Sequence, residues 1–242
     1  MLADRLFASF DHLYVINLPV RTDRRDEMVG ELQRIGTGFE DRRVTLFAAV
    51  APDDAGGFRS IGARGCFLSH LGVLRAAQAA GYRRILVLED DCDFVARIDA
   101  LLPAALDAYD AGRFGIFYGG YHRAVPPIEA PVTRADPQDV IGLTHMMGFD
   151  RATVARVIPY LELMLGRPAG SPDGGPMDVD GAYGWFRAAH PEIVTGLAVP
   201  QLGVQRPSPT DISPPGLLDR LPLPRPARAM LRGVRRAWRR RS

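Results

Sequence analysis

Apolar runs alternate along this chain with segments whose apolar positions recur every three to four residues. Residues 12–19 (HLYVINLP) are rich in Tyr, Val and Ile and stop at Pro19, which predicts a first strand. Met28, Leu32 and Ile35 then fall at helical spacing, with Asp23 placed to cap a helix over 24–35 and Gly36 placed to end it. A second strand is expected over 44–50, followed by a loop rich in Gly and Asp. Residues 65–80 read as a helix with Phe67, Leu71, Leu74 and Gln78 along one face and Gly81 at its end. The same reasoning places strands at 84–88, 115–120, 140–149 and 193–199, helices at 98–109, 151–165 and 180–190, and loops at 125–137 and 167–176. Strands and helices alternate through short connections, so the fold class expected is an α/β sandwich with a mostly parallel central sheet.

The apolar run Ile85-Leu86-Val87-Leu88 ends in Glu89, Asp90, Asp91 and Asp93. Four carboxylates in five residues repel one another, and burial adds to the cost. Open α/β sheets place ligands at the C-terminal ends of their strands. The cluster therefore points to a divalent metal facing a phosphorylated ligand, or, more simply, to an acidic turn left in water.

Composition narrows the chemistry. All 30 basic residues are Arg, which excludes Schiff-base lysine chemistry and a Walker-type phosphate loop. The missing Lys, with no Thr or Val after Asp93, also argues against a metal-dependent phosphohydrolase. Cys66 and Cys92 have no CxxC spacing and are expected to be reduced core thiols. No leader-like segment and no run of about 18 apolar residues is visible, so a cytoplasmic, soluble protein is expected. The net charge of +2 hides an asymmetry: eight Arg and no acid lie between Arg225 and Arg241. Three parts are expected: a folded domain over 1–212, a Pro-rich linker over 213–226 and a basic amphipathic tail over 227–242. In the tail, Ala227, Leu231, Val234 and Trp238 recur at helical spacing among the Arg. That suits an anchor on the anionic inner face of a membrane more than a reader of nucleic acid, and no nucleic acid is expected as a partner. A solvated tail is the competing reading.

Three stretches together resemble glycosyltransferase family 25, which includes bacterial lipooligosaccharide galactosyltransferases and collagen galactosyltransferases. They are YVINLPVRTDRRDEM from Tyr14; GCFLSHLGVLRAAQ from Gly65 with ILVLEDDCDF from Ile85; and DVDGAYGWF from Asp178 with VPQLGVQRPSPTDI ending at Ile212. Gly181-Ala182-Tyr183 replaces an aromatic pair frequent in the family, and the Arg-rich tail is foreign to its pattern. The resemblance implies a GT-A-like nucleotide-sugar-binding fold. It implies inverting transfer of a sugar, galactose from UDP-galactose first, to a saccharide or lipid-linked acceptor in cell-surface polysaccharide synthesis. It also implies a divalent metal cofactor, Mn²⁺ or Mg²⁺. The alternative function is a non-catalytic membrane- or nucleic-acid-binding protein driven by the tail.

Inverting transfer needs a base for the acceptor hydroxyl and a Lewis acid for the departing diphosphate. Asp91 and Asp93 form a DxD and are the expected metal ligands; if the strand runs on, they share a face with Glu89. Glu89 is expected to bind metal or ribose, and Asp90 to cap a turn. Asp180 is the candidate base, or else a helix cap. Asn17, Arg21 and Arg24 follow the first strand and suit a nucleotide diphosphate, unless Asp23, Asp26 and Glu27 absorb the arginines in surface pairs. The family match favours site roles for Ser69 and His70, against a His satisfied by a buried carboxylate or carbonyl. Gln205, Ser208 and Asp211 are further candidates for substrate contact or bracing.

Overall fold

The structure, a computed structural model, describes residues 1–123 and 130–206. Its elements run α1 (Leu2–Ser9), β1 (His12–Asn17), α2 (Thr22–Arg34), β2 (Val44–Ala48), α3 (Ile61–Ala80), β3 (Arg84–Glu89), β4 (Cys92–Phe94), α4 (Ile98–Gly112), β5 (Ile116–His122), β6 (Val132–Ala135), β7 (Gly142–Asp150), α5 (Arg151–Leu165), α6 (Val179–Ala189), β8 (Thr195–Ala198) and β9 (Gly203–Gln205). Seven strands form one sheet in the order β2-β1-β3-β7-β5-β8-β6, and β4 pairs with β9 separately. Five of the seven, β1, β2, β3, β5 and β8, run one way; β7 and β6 run against them.

Alternation along the central strands builds two cores. Leu13 and Val15 of β1 and Leu86 and Leu88 of β3 face Leu6, Met28, Leu32, Leu102 and Leu106 on α1, α2 and α4. Tyr14, Ile16, Ile85 and Val87 face the other way, in the cluster of Phe67 and Leu71 of α3, Val157 and Leu161 of α5 and Phe186 of α6. Helices thus cover both faces, and the α/β class with a mostly parallel sheet stands, the sheet being mixed through β7 and β6. From β1 the chain reaches β2 through α2, then returns past β1 to β3 through α3 on the opposite face. The direction of winding reverses between β1 and β3, and such a reversal leaves a crevice at the strands' C-terminal ends.

Four elements are absent from the sequence reading. α1 is a short first helix whose buried positions are Ala3, Leu6 and Ser9, too few to show a period. β4, β6 and β9 have three or four residues each, and their partners are distant in sequence. Asp23 does not cap α2: the N-cap is Arg21, and Asp23 sits inside the first turn. Gly36 and Gly81 do end α2 and α3 with φ of 80° and 70°, the left-handed conformation that glycine tolerates. The linker over 213–226, the basic tail over 227–242, Ser208 and Asp211 lie outside the described residues. No helix among the described residues is long and apolar enough to cross a membrane.

Candidate functional site

At the reversal between β1 and β3 the carboxylates meet the first strand. Asn17, the last residue of β1, donates through Nδ2 to Asp90 Oδ2 at 2.8 Å and to the Arg21 carbonyl at 3.1 Å. Arg24, buried in the first turns of α2, donates to Asp90 Oδ1 at 2.7 Å and reaches Asp91 Oδ2 at 3.5 Å. Asn17 and Arg24 therefore hold the turn after β3. Arg21 forms a two-bond pair with Asp23 at 2.9 Å, the local pairing that its acidic neighbours suggested.

The strand does not run on through the acidic cluster. Asp90 and Asp91 form a turn, and Cys92–Phe94 continues as β4 in the small sheet with β9. The turn separates the pair expected to act as a DxD. Asp93 is fully buried, and its Oδ1 accepts two bonds from Arg206, at 2.9 and 2.7 Å. Arg206 also donates to Glu27 at 2.5 Å and to the Asp90 carbonyl at 3.0 Å. Asp91 instead lines a cavity with Glu89. Its Oδ2 is 3.4 Å from Gln205 Nε2, and its buried Oδ1 has no hydrogen-bond partner among the described residues. Burial, followed by the Glu89 charge and only partly offset by Arg24, pushes the Asp91 carboxyl up to about 7.

The sequence GCFLSH is spent on the wall of that cavity. A Cβ at Gly65 would meet the Val50 carbonyl at 2.6 Å, so only glycine lets α3 approach the chain leaving β2 this closely. Ser69 fixes the same approach: its hydroxyl accepts from Val50 N at 2.8 Å and donates to the Gly65 carbonyl at 2.6 Å. One residue on, His70 Nε2 lies 3.2 Å from Glu89 Oε1, and Nδ1 lies 3.2 Å from the Tyr183 hydroxyl. An ionised carboxylate cannot donate, so Nε2 carries the proton and Nδ1 accepts from Tyr183. The Thr144 hydroxyl also donates to Glu89 Oε1. Burial alone would raise Glu89, but the bonds from His70 and Thr144 hold it below the usual range.

Asp180 stands in the first turn of α6. Its Oδ1 accepts from Gly181 N at 2.7 Å, and its Oδ2 accepts from Leu143 N at 3.1 Å. Leu143 has φ of 68°, a strained conformation for a branched side chain, and it precedes Thr144 on β7. Asp180 is thus tied to the strand that supports Glu89, and it is not the N-cap, a position held by Asp178. Asp180 and Asp178 are close enough to add, after burial, Glu89 and Asp91, to the forces that drive the Cys66 thiol well up.

The cavity measures about 220 Å³. Ala49, Val50, Pro52 and Ile61 form an apolar wall, and Glu89, Asp91, Arg24 and Cys66 form a polar one. Such a mixture suits a ligand with a flat apolar portion and a charged portion bridged by a cation. Of the expected residues, the fold gathers Arg24, Ser69, Glu89 and Asp91 at the cavity, with His70 directly behind. It sets Asn17 and Asp93 to bracing, Arg21 to a local pair and Asp180 on α6, bonded to the strand that supports Glu89. Sequence reasoning missed Arg206, Thr144 and Tyr183, and it treated Cys66 as core. Arg206 directly follows Gln205 inside the third matched stretch, a signal that was present; Thr144 had none.

A two-sided α/β sandwich with a carboxylate-lined crevice at its winding reversal is the class that fold and site define together. No family model matches the chain. The chain is similar to glycosyltransferase 25 family members. It is 26% identical over 141 residues to the inactive glycosyltransferase 25 family member 3 of Homo sapiens, covering 51% of this chain and 24% of that protein. It is 28% identical over 153 residues to a glycosyltransferase 25 family member of Aedes aegypti, covering 55% and 25%, and 31% identical over 102 residues to one of Anopheles gambiae, covering 36% and 17%. The chain thus spans about a quarter or less of the length of these curated relatives. Among solved structures, mannose-1-phosphate geranyltransferase from Thermus thermophilus aligns with 77% of this chain and 72% of its own at 14% identity and a TM-score of 0.39, too faint to carry an argument.

Proposed function

We propose that this chain is an inverting glycosyltransferase of the GT-A type that moves galactose from UDP-galactose to a saccharide or lipid-linked acceptor in cell-surface polysaccharide synthesis, with Mn²⁺ or Mg²⁺ as cofactor. One observation carries the reading: Asp91 presents a buried carboxylate oxygen with no hydrogen-bond partner among the described residues, beside Glu89, at the crevice between β1 and β3. Two oxygen-donor carboxylates at a strand end fit a hard divalent cation. Asp91, with Glu89 beside it, would hold the ion. When bound, the ion supplies positive charge against the donor diphosphate.

The chain's own residues supply the rest. The apolar wall at Ala49, Val50 and Pro52 suits a pyrimidine base, and Arg24 adds a cation beside Asp91. Asp93 is assigned to bracing, because Arg206 occupies it. Asp180 accepts the proton of the acceptor hydroxyl as it attacks the anomeric carbon, and the Leu143 amide orients that carboxylate. The acid-free run of eight Arg from Arg225 to Arg241 supports a cytoplasmic enzyme resting on an anionic membrane.

Titration calorimetry tests the donor site. UDP should bind wild-type protein only with Mn²⁺, and Asp91→Asn should weaken that binding by about 1–3 kcal/mol. Unchanged Mn²⁺–UDP affinity in the variant would remove Asp91 from the site. Asp180→Asn should keep donor binding and lower turnover roughly 10²–10⁴-fold, the worth of a general base. A near-normal transfer rate would return Asp180 to a purely architectural role.

A further inference from the structure

Behind the Asp91 oxygen lies a second donor set of different chemistry. Cys66 and His70 sit four residues apart on α3, so both side chains point to the end of β3, where Glu89 meets them. One ligand atom from each of Cys66, His70 and Glu89 lies within 4.8 Å of the other two. We propose that Cys66, His70 and Glu89 form a binding site for a thiophilic divalent cation of the Zn²⁺ class, which shares Glu89 with the oxygen-ligated site at Asp91 but differs from it in its sulfur and nitrogen ligands.

The geometry is close to what that ion requires. Tetrahedral Zn²⁺ with N and O ligands at about 2.0–2.1 Å sets the two atoms about 3.3 Å apart. His70 Nε2 and Glu89 Oε1 are 3.2 Å apart. The ion would take the place of the proton now shared between them. A thiolate in the same tetrahedron sits about 3.5 Å from the nitrogen, and the ligand atoms of Cys66, His70 and Glu89 lie within 4.8 Å of one another, so the three must draw together as the ion binds. Three protein ligands with the fourth side open to a cavity is the arrangement of an exchangeable zinc site, and Cys66 and Glu89 both line the 220 Å³ cavity.

The surroundings complete the site. Metal-bound imidazole donates its other N–H to a fixed partner, and Tyr183 Oη waits 3.2 Å from His70 Nδ1. Thr144 donates to the same Glu89 Oε1 that faces His70 and fixes its position. The protons balance simply. The His70 proton moves from Nε2 to Nδ1, the Tyr183 hydroxyl turns to accept it, and the Cys66 proton leaves to solvent, so each ion bound releases one proton. Four carboxylates, Glu89, Asp91, Asp178 and Asp180, act on Cys66. They oppose a bare thiolate but favour a thiolate paired with a dication.

The site shares Glu89 with the ion of the transferase reading but needs Cys66 and His70, which that reading does not use, and the test keeps the two apart. Full-length protein stripped with chelator is titrated with Co²⁺, a spectroscopic substitute for Zn²⁺. The expected result is a near-ultraviolet thiolate-to-cobalt charge-transfer band with the strong visible bands of a tetrahedral ion, both abolished by Zn²⁺. The chain has two cysteines, and Cys92 is buried at 1% exposure, so Cys66→Ser should erase the band. Cys66→Ser should also weaken Zn²⁺ by more than the roughly 10–100-fold that follows loss of a supporting partner. Asp91→Asn should keep the band while weakening Mn²⁺–UDP binding. In wild-type protein Zn²⁺ should shield Cys66 from alkylation, read by mass spectrometry, which keeps the test available if Cys66→Ser folds poorly. Absence of the band, its survival in Cys66→Ser, or alkylation of Cys66 unaffected by Zn²⁺ overturns the proposal.

Discussion

The acidic cluster after β3 splits into two pairs with opposite fates. Asp90 and Asp93 are clamped by cations: Asp90 by Arg24 with Asn17, and Asp93 by Arg206. Glu89 and Asp91 face the cavity, where no arginine among the described residues encloses them in the same way. Among the described residues the Asp91 carboxylate has long contacts with Arg24 and Gln205, at 3.5 and 3.4 Å, and it rises to about 7. Four similar residues thus do two jobs, and the two-residue turn at Asp90-Asp91 sorts them. The buried pairs hold the turn, and the turn holds a poorly neutralised carboxylate at the crevice. Removing one partner of a buried ion pair costs far more than removing an unneutralised charge, which makes the difference measurable.

Asp93→Ala should show the largest effect. It leaves the buried Arg206 with Glu27 and a carbonyl, and the loss should fall near the lower end of the ~3–5 kcal/mol typical of a broken buried pair. Urea unfolding measures it, and a change below about 1 kcal/mol would show that Asp93 is not bracing the turn. Asp91→Asn should move stability the other way or not at all, within about 1 kcal/mol, because it removes a charge that burial disfavours. A stability loss matching that of Asp93→Ala would erase the distinction between the pairs.

The smallest effect belongs to a carboxylate paired at the surface. Bonds to Arg83 and to the Arg83 and Arg84 amides outweigh burial and hold Asp11 below its ordinary value of 3.8. A depressed carboxyl contributes stability above the unfolded value, and that contribution fades as pH falls below about 4, toward the folded value. Asp11→Asn should lower stability at neutral pH by roughly 1 kcal/mol or less and flatten the acid limb below about pH 4. An identical acid limb in both proteins would show that the Asp11 contacts contribute nothing.

Local pattern determined a large part of this molecule. The periods over α2 to α5, the apolar runs of β1 and β3 and the glycines ending α2 and α3 depend on neighbours along the chain, and the α/β class follows from their order. The matched stretches brought Ser69, His70, Glu89 and Asp91 together before any coordinate did. Only the tertiary structure decided which carboxylate is clamped and which is left open. Arg206 reaches Asp93 across 113 residues, and Thr144 reaches Glu89 across 55. Pairings this distant leave no local period or spacing to read. The sheet order is of the same kind: β7 enters antiparallel between β3 and β5, a pairing between strands far apart along the chain. Cys66 looked like a core thiol for the same reason. Its residue type was visible, but its neighbours Glu89 and the cavity are assembled only when α3 packs onto the sheet, closing on the chain that leaves β2 at Gly65.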